Sequence, residues 1–177
     1  MKHRWILLFV VLLIAAVTAA CVGAPEASGR TYTDTAYGYT LTYPDGWRYT
    51  ESGSSVAFLS PDGHEEMRIT ADRLSENRSA LPPEDLLSLL NASYSEDFAR
   101  DIPGTEWVST TQTELDGAPA YESVYSIPLQ GDERYTFVAR YAVHDDVIYS
   151  VMYTEFPPEY DPYTGHGPEM LGSFRFV

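Results

Sequence analysis

The sequence predicts an α+β fold in which an antiparallel β-sheet is flanked by helices within a single domain. Residues 134–144 and 147–154 both alternate apolar and polar side chains, and only two residues separate them, which is typical of an antiparallel hairpin. One segment after Pro82 instead repeats apolar residues at helical spacing. A sheet with one apolar face and a helix with one apolar stripe can cover each other, which gives the predicted layers.

Short strands and tight turns are predicted for the first part of this domain. Residues 37–43 alternate, so that Tyr39, Leu41 and Tyr43 share one face. Pro-Asp-Gly follows at 44–46 and recurs at 61–63, and this combination favours a turn because proline presets φ and glycine accepts positive φ. Further strands are predicted at 47–50, 55–60 and 66–72.

A substantial helix is predicted to begin at Pro82-Pro83-Glu84-Asp85 and to run to about Arg100. Proline suits the first turn, and acidic residues there face the positive end of the helix dipole. The apolar residues at helical spacing are Leu86, Leu87, Leu90, Tyr94 and Phe98. Pro103-Gly104 is predicted to end the helix.

The remainder of the chain is predicted to form a meander of long strands. Asp116-Gly117 is a hairpin signal, and Asp145-Asp146 forms another short turn. A single helical turn is predicted at 168–172, before a short apolar end at 174–177. The four long strands are predicted at 105–115, 120–127, 134–144 and 147–154.

Charge is distributed unevenly along the 177 residues. The only lysine is Lys2, and the chain beyond Cys21 carries nine arginines against 26 acidic residues, a net charge of −17. Such a domain repels phosphate backbones, so nucleic acid is not expected as a partner. Cys21 is the single cysteine, which leaves no intramolecular disulfide to stabilise the domain.

Residues 1–20 have the layout of a secretory signal peptide or a signal anchor. Lys2 and Arg4 precede an unbroken apolar run over 5–17, and the small residues 18–20 stand directly before Cys21. Positive charge ahead of the run keeps that end in the cytoplasm and directs the rest outward. We therefore expect an extracytoplasmic domain.

Three interpretations of this junction remain open. The residues before Cys21 resemble a lipobox, although Thr18 stands where leucine is usual, and cleavage there would leave a lipid on the thiol. An ordinary signal peptidase would cut the same bond and secrete the protein. Uncleaved, residues 5–24 carry no charge and would span about 30 Å as a helix, enough to cross a bilayer. Residues 21–36 are predicted to form a flexible tether, and 37–177 the domain.

Several motifs together resemble the PsbP-like domain. They are Tyr-Gly-Tyr-Thr-Leu-Thr-Tyr-Pro-Asp-Gly-Trp at 37–47, Leu-Asp-Gly-Ala-Pro-Ala-Tyr at 115–121, Val-Ile-Tyr-Ser-Val-Met-Tyr at 147–153, and Ser-Phe at 173–174. The resemblance implies an α-β-α sandwich, a fold shared with DcrB- and LpqN-type lipoproteins. It also implies a non-catalytic domain, and no metal-associated or docking residue of the family has a matching position here.

These features predict an exported lipoprotein, anchored through Cys21 to the extracytoplasmic face of the membrane, that binds an envelope protein or assists assembly of a complex. Anchoring by an uncleaved N-terminal helix and secretion are the alternatives for location. An extracytoplasmic module that binds a small ligand or a cation is the alternative for function. No enzyme activity, cofactor or metal site is predicted.

Three groups nevertheless pair histidine with acidic residues that a divalent cation could use. They are His64-Glu65-Glu66, His144-Asp145-Asp146, and Asp161 with His166. All lie in predicted polar turns, where acidic residues are ordinary, and none has a metal-ligand spacing. No nucleophile motif such as Gly-x-Ser-x-Gly is present.

Aromatic residues and two sequons are the remaining candidates for ligand binding and glycosylation. Tyr39, Tyr43, Tyr135, Tyr141, Tyr149 and Tyr153 recur at strand period, which favours sheet packing over ligand stacking. Asn77 and Asn91 begin N-glycosylation sequons, the first in a predicted loop and the second in the predicted helix.

Overall fold

The computed structural model describes residues 29–75, 81–128, 134–155 and 165–177, without the side chains of 83 and 93–99. The first elements are β1 (Gly29–Asp34), β2 (Tyr39–Pro44), β3 (Arg48–Ser52), β4 (Ser55–Leu59), β5 (Glu65–Arg73) and helix α1 (Pro83–Asp101). They are followed by β6 (Glu106–Leu115), β7 (Ala118–Pro128), β8 (Arg134–His144), β9 (Val147–Glu155), helix α2 (Gly167–Ser173) and β10 (Arg175–Phe176).

The strands form two antiparallel sheets. The main sheet has seven strands in the order β3-β4-β5-β9-β8-β7-β6, and the small sheet has the order β1-β2-β10. Strands β8 and β9 pair from His144 opposite Val147 to Phe137 opposite Thr154, so the predicted hairpin is confirmed. The α+β class is confirmed too, but the sequence predicted one sheet, and the small sheet is an addition to it.

The principal core lies between the small sheet and one face of the main sheet. Tyr39, Leu41 and Tyr43 of β2 are all buried, as the alternation predicted. They meet alternate residues of β5 and β9 and three residues of the α2 region, Met170, Leu171 and Phe174. The tyrosines predicted to pack rather than bind ligands lie largely inside, since Tyr39, Tyr43, Tyr141, Tyr149 and Tyr153 are buried.

Helix α1 covers the opposite face of the main sheet. Leu86, Leu87 and Leu90 are buried against Val143, with Tyr121 at the margin of the cluster. Full burial of each such leucine contributes about 1.5–3 kcal/mol, which holds the helix on the sheet. Pro83 begins the helix, and Glu84 and Asp85 lie in its first turn, as predicted. The fold therefore has helices on both faces of the main sheet.

The predicted tether is shorter than expected. Gly29–Asp34 forms strand β1, which pairs with the whole of β2 from Gly29 opposite Pro44 to Asp34 opposite Tyr39. Tyr32 is buried, and its hydroxyl donates to Glu51 at 2.8 Å. Tyr32 is the only buried residue of this strand, so no apolar alternation marks it in the sequence. The domain thus begins by residue 29 and not at 37, while 21–28 lie outside the described residues.

Candidate functional site

Three side chains meet where β5 begins and α2 starts. The Tyr153 hydroxyl donates to Oε2 of Glu65 at 2.8 Å, and the backbone N–H of His166 donates to the same oxygen at 2.9 Å. The ring Nδ1 of His166 lies 2.9 Å from Oε1 of Glu65. One carboxylate therefore joins β5, β9 and the segment that enters α2, and we call these three residues the Glu65 cluster.

Two glycines allow this close approach. A Cβ on Gly165 would lie 2.7 Å from the Tyr153 hydroxyl and 3.0 Å from Oε2 of Glu65. A Cβ on Gly167 would lie 2.3 Å from the Tyr153 ring, well inside van der Waals contact. Trp47 closes another side, with its ring edge-on to His166 at 5.7 Å between centroids. The segment Gly165-His166-Gly167 therefore packs closely against Tyr153.

Hydrogen bonding decides the charge of Glu65. Burial favours the neutral carboxyl group, but the backbone N–H and ring of His166 and the Tyr153 hydroxyl outweigh it. Together they hold the pKa of Glu65 below its ordinary value. Glu65 is thus a carboxylate that the fold stabilises in its ionised form.

Glu155 has the opposite electrostatics beside the same cluster. Its Oε2 is shielded from solvent and has no hydrogen-bond partner among the described residues. Burial, followed by the negative charges of Glu65 and Asp62, raises the pKa of Glu155 above its ordinary value. The two carboxyl groups therefore differ in proton affinity, because only Glu65 receives the donors.

The chemical capacity of the Glu65 cluster is limited by these contacts. Both oxygens of Glu65 already accept hydrogen bonds, so the role of the carboxylate is to link the sheet to α2. Across the described residues, no three or more His, Cys, Asp or Glu side chains are grouped so that they could hold a metal ion. Glu155, beside the cluster, differs from Glu65 in that its raised pKa favours the protonated form.

A groove lies at the other end of the main sheet, beside the start of α1. It is a cavity of about 710 Å³ between the β8–β9 turn, the β6–β7 hairpin and the first turn of the helix. Its lining residues are Leu74, Leu81, Pro82, Glu84, Leu86, Ala118, Pro119, Val143, His144, Asp145 and Asp146. A second depression of about 300 Å³ adjoins it across Glu84 and Pro119 and reaches Glu114 and Tyr121. We call both together the α1 groove.

The β8–β9 turn shapes the rim of the α1 groove. Asp145 and Asp146 both have positive φ, 46° and 60°, as a two-residue hairpin turn requires, and aspartate tolerates this better than most residues. The His144 ring stacks on Phe176 with centroids 4.1 Å apart, which fixes the strand end. In the predicted group His144-Asp145-Asp146, the stacked imidazole thus lies 3.6 Å from the Asp145 carboxylate through Nε2, and both carboxylates are exposed.

The structure brings together some of the residues singled out in the sequence and separates others. Glu65 and His166, which were placed in different groups, contact each other across 101 residues of chain. Glu66 instead pairs with Arg68 at 2.6 Å. Asn91 accepts a hydrogen bond from Ser123 at 3.3 Å, so the half-buried side chain of this sequon asparagine is engaged with the sheet.

Some predicted sites lie outside the described residues. Cys21, Asn77 and Asp161 belong to this group. The leader 1–20 does as well, and neither helix of the described part is long and apolar enough to cross a bilayer. Anchoring through Cys21 stays a prediction.

Sequence reasoning missed Trp47, Tyr153 and Glu155 as neighbours of the cluster. The strand period predicts only packing for Tyr153, and nothing in the local sequence of β9 points to its hydroxyl contact with Glu65. The single available signal was the pair of glycines around His166, because closely spaced glycines mark places where a backbone approaches another group.

Comparison with solved structures shows which fold these elements make. No protein-family model matches the sequence, and no curated protein matches it either. The chain is similar to cyanobacterial PsbP (CyanoP) from Synechocystis sp. PCC 6803, with a TM-score of 0.68 and 18% identity over 90% of this chain and 99% of that one. LpqN of Mycobacterium tuberculosis, a protein involved in cell envelope biogenesis, is similar with a TM-score of 0.51 and 14% identity over 86% and 81%.

A protein from Bacteroides thetaiotaomicron is similar as well, with a TM-score of 0.59 and 14% identity. The match covers 84% of this chain and 48% of the Bacteroides chain, so the domain corresponds to about half of that protein. These identities are low, and what they share is the arrangement of strands and helices. The protein has the PsbP-like fold.

Proposed function

We propose that this protein is exported, anchored through Cys21 to the extracytoplasmic face of the cell membrane, and serves there as a non-catalytic protein that binds an envelope partner or assists assembly of a complex. The observation that carries the proposal is the leader, in which a charged start, an apolar run and small residues end at the only cysteine of the chain. The similarity to LpqN, which is involved in cell envelope biogenesis, supports the location.

The chemistry of the domain supports a binding role over catalysis. The Glu65 cluster joins structural elements, and its carboxylate oxygens are occupied by donors from the fold itself. The exported part carries a charge of −17, which favours basic partners and disfavours nucleic acid.

Anchoring is tested by Cys21→Ser in the native host, followed by membrane fractionation and mass spectrometry of the N-terminus. We expect the variant to be released or to keep its leader, whereas the unmodified chain carries lipid mass on Cys21. Thr18→Leu is the matched control, because it restores the usual residue of the lipobox and keeps the thiol. A Cys21→Ser chain that is still cleaved and equally membrane-bound contradicts lipidation.

The binding role is tested by crosslinking in intact cells and identification of crosslinked peptides by mass spectrometry. We expect the same extracytoplasmic protein in independent preparations, and its own crosslinks should return this chain. Failure to recover any specific partner contradicts the proposal.

A second candidate function is the binding of a small extracytoplasmic ligand, and the α1 groove favours it. The groove is concave, with apolar walls and carboxylates on its rim, as ligand sites often are. The test is dialysis of the purified protein against labelled small cationic metabolites, with Asp145→Asn/Asp146→Asn for comparison. If the groove binds such a ligand, the unmodified chain retains the label and the variant does not.

A further inference from the structure

The α1 groove combines apolar walls with an acidic rim. Leu74, Leu86 and Val143 form its inner wall, and Leu81 stands at its mouth with 40% of its surface exposed. Four carboxylates line its two parts, those of Glu84, Glu114, Asp145 and Asp146. No arginine lines either part.

The arginines at this end of the described structure are engaged elsewhere. Arg73 donates to the carbonyl of Ala36 at 2.9 Å and lies over the Tyr37 ring. Arg175 lies 3.7 Å from Asp116, whose carboxylate also accepts the backbone N–H of Phe176. The rim carboxylates of the groove are therefore not neutralised by these two arginines. Asp145 lies 3.6 Å from the His144 ring, and because Asp145 and Asp146 are both exposed, the rim presents negative charge to an incoming ligand.

The shape of the groove fits a chain segment better than a compact molecule. The two depressions continue into each other past Glu84 and Pro119, so the groove extends along both sides of the first helical turn. Acidic residues stand at both ends, with Asp145 and Asp146 at one and Glu114 at the other. In a peptide that alternates apolar and cationic side chains, the apolar side chains would match the walls of the groove and the cationic ones its acidic rim.

The path of the chain orients the groove. β1 begins at Gly29, opposite Pro44, at the end of the domain that also contains Trp47 and the Glu65 cluster. Seven residues lie between Cys21 and Gly29, and the eight residue steps that join the two span at most about 29 Å in an extended chain. Anchoring through Cys21 thus keeps this end near the membrane, and the α1 groove, at the other end of the long strands, points away from it.

We propose that the α1 groove binds a basic, partly apolar segment of an extracytoplasmic protein. The inference rests on the proposed function and deepens it, since it names the surface and the chemistry of the partner. Negative charge on the rim attracts the cationic side chains, and the leucine and valine walls bury the apolar ones. The orientation leaves the groove accessible to proteins that do not themselves touch the membrane.

The test uses the full chain in nonionic detergent and three fluorescein-labelled octapeptides, with fluorescence anisotropy as the readout. One peptide alternates Leu and Arg, one alternates Leu and Glu, and one alternates Ser and Arg. We expect binding of the Leu–Arg peptide that weakens with added salt, at least fivefold weaker binding of the Ser–Arg peptide, and none of the Leu–Glu peptide.

Matched variants locate the binding. Asp145→Asn/Asp146→Asn removes two rim charges, and asparagine keeps the positive φ of the turn, so the fold is retained. We expect at least a fivefold loss of affinity, against little change for Asp45→Asn/Asp101→Asn, which removes two exposed charges elsewhere. Leu81→Ser should weaken binding similarly, whereas Val108→Ser, at a residue 64% exposed on β6, should not.

Four results overturn the proposal. Equal losses in the rim variant and its charge control would mean attraction by net charge alone. An unchanged affinity in Leu81→Ser would remove the apolar part of the recognition. An affinity gain of fivefold or more in Arg78→Ala would identify the chain's own segment 76–80, which carries the matching charge, as the occupant. If the rim variant keeps its crosslinked partner in cells, the groove is wrong while the proposed function stands.

Discussion

The backbone N–H and the ring Nδ1 of His166 both contact the carboxylate of Glu65, each at 2.9 Å, across 101 residues of chain. Since Tyr153 donates to the same carboxylate, the contact connects β5, β9 and α2 at one point. A charge held by several donors contributes to stability only while it is ionised, which makes this end of the domain sensitive to pH.

Glu65→Gln should destabilise the domain near neutral pH by about 1–3 kcal/mol, because hydrogen bonds to a charged group weaken. The folded-state pKa of Glu65 lies below its ordinary value of 4.5, so its contribution is present above that value and is lost as the pH falls through the lowered pKa. Urea unfolding followed by tryptophan fluorescence should show that the stability difference between the variant and the unmodified chain shrinks below pH 4.5.

Glu66→Gln is the control for this prediction, and its exposed pair with Arg68 predicts a loss of stability below about 0.5 kcal/mol. If Glu65→Gln loses the same stability at pH 7 and in acid, the charge of Glu65 does not explain its contribution.

Glu155→Gln should have the opposite effect. Because burial and the neighbouring carboxylates raise the pKa of Glu155, its ionised form disfavours the folded state, and stability declines as the pH rises from the ordinary value through the raised one. We expect a rise in Tm at pH 7 of about one to three degrees, small because the residue is in part open to solvent. Scanning calorimetry at pH 7 and pH 4 should show the gain only at pH 7. A lower Tm at pH 7 would show that Glu155 has a favourable partner.

Gly167→Ala should destabilise the domain by about 1–3 kcal/mol or more, because the new Cβ would stand 2.3 Å from the Tyr153 ring. Gly172→Ala lies in the same helix with no atom within 4 Å of its Cβ position. This control should be neutral or slightly stabilising, since alanine is the better helix former. Thermal unfolding of the two variants measures the contrast, and equal Tm values would mean that α2 can move away from β9.

Chains that begin at residue 37 should be less stable than chains that begin at residue 29. Removing β1 takes away the pairing with β2 and the burial of Tyr32, whereas removing 1–28 leaves both. Circular dichroism melts of the two shortened chains would show this as a Tm lower by several degrees for the shorter one. Equal Tm values for the two shortened chains would mean that the domain begins at residue 37.

Local patterns predicted the strands well where one face of the strand is buried. Tyr39, Leu41 and Tyr43 alternate with half-buried threonines, and the 116–117 and 145–146 turns carry the residues that positive φ requires. The sequence predicts a tether over the residues of strand β1, because the burial of this strand depends on a partner that the local sequence does not reveal. Only the pairing with β2 makes it part of the sheet.

The candidate sites were predictable in composition but not in arrangement. The sequence singled out Glu65, His166 and the 144–146 group as polar turn residues. Which of them meet is decided by the pairing of β5 with β9 and by the return of α2 onto that pair, and such contacts between distant segments leave no periodic signal. The α1 groove likewise depends on four segments that the chain brings together from positions near 74, 84, 119 and 145.

Strand β2 receives β1 on one side and β10 on the other, and the hydroxyl of Ser173 bonds the backbone of Thr42 across 131 residues. The small sheet therefore stays open during synthesis until the segment around Ser173 has emerged. The contacts of β2 with β10 and Ser173 join segments that lie far apart in the chain, and pairings of this kind form slowly because a long loop must close first. Closure of the small sheet is thus expected to be a late step in folding.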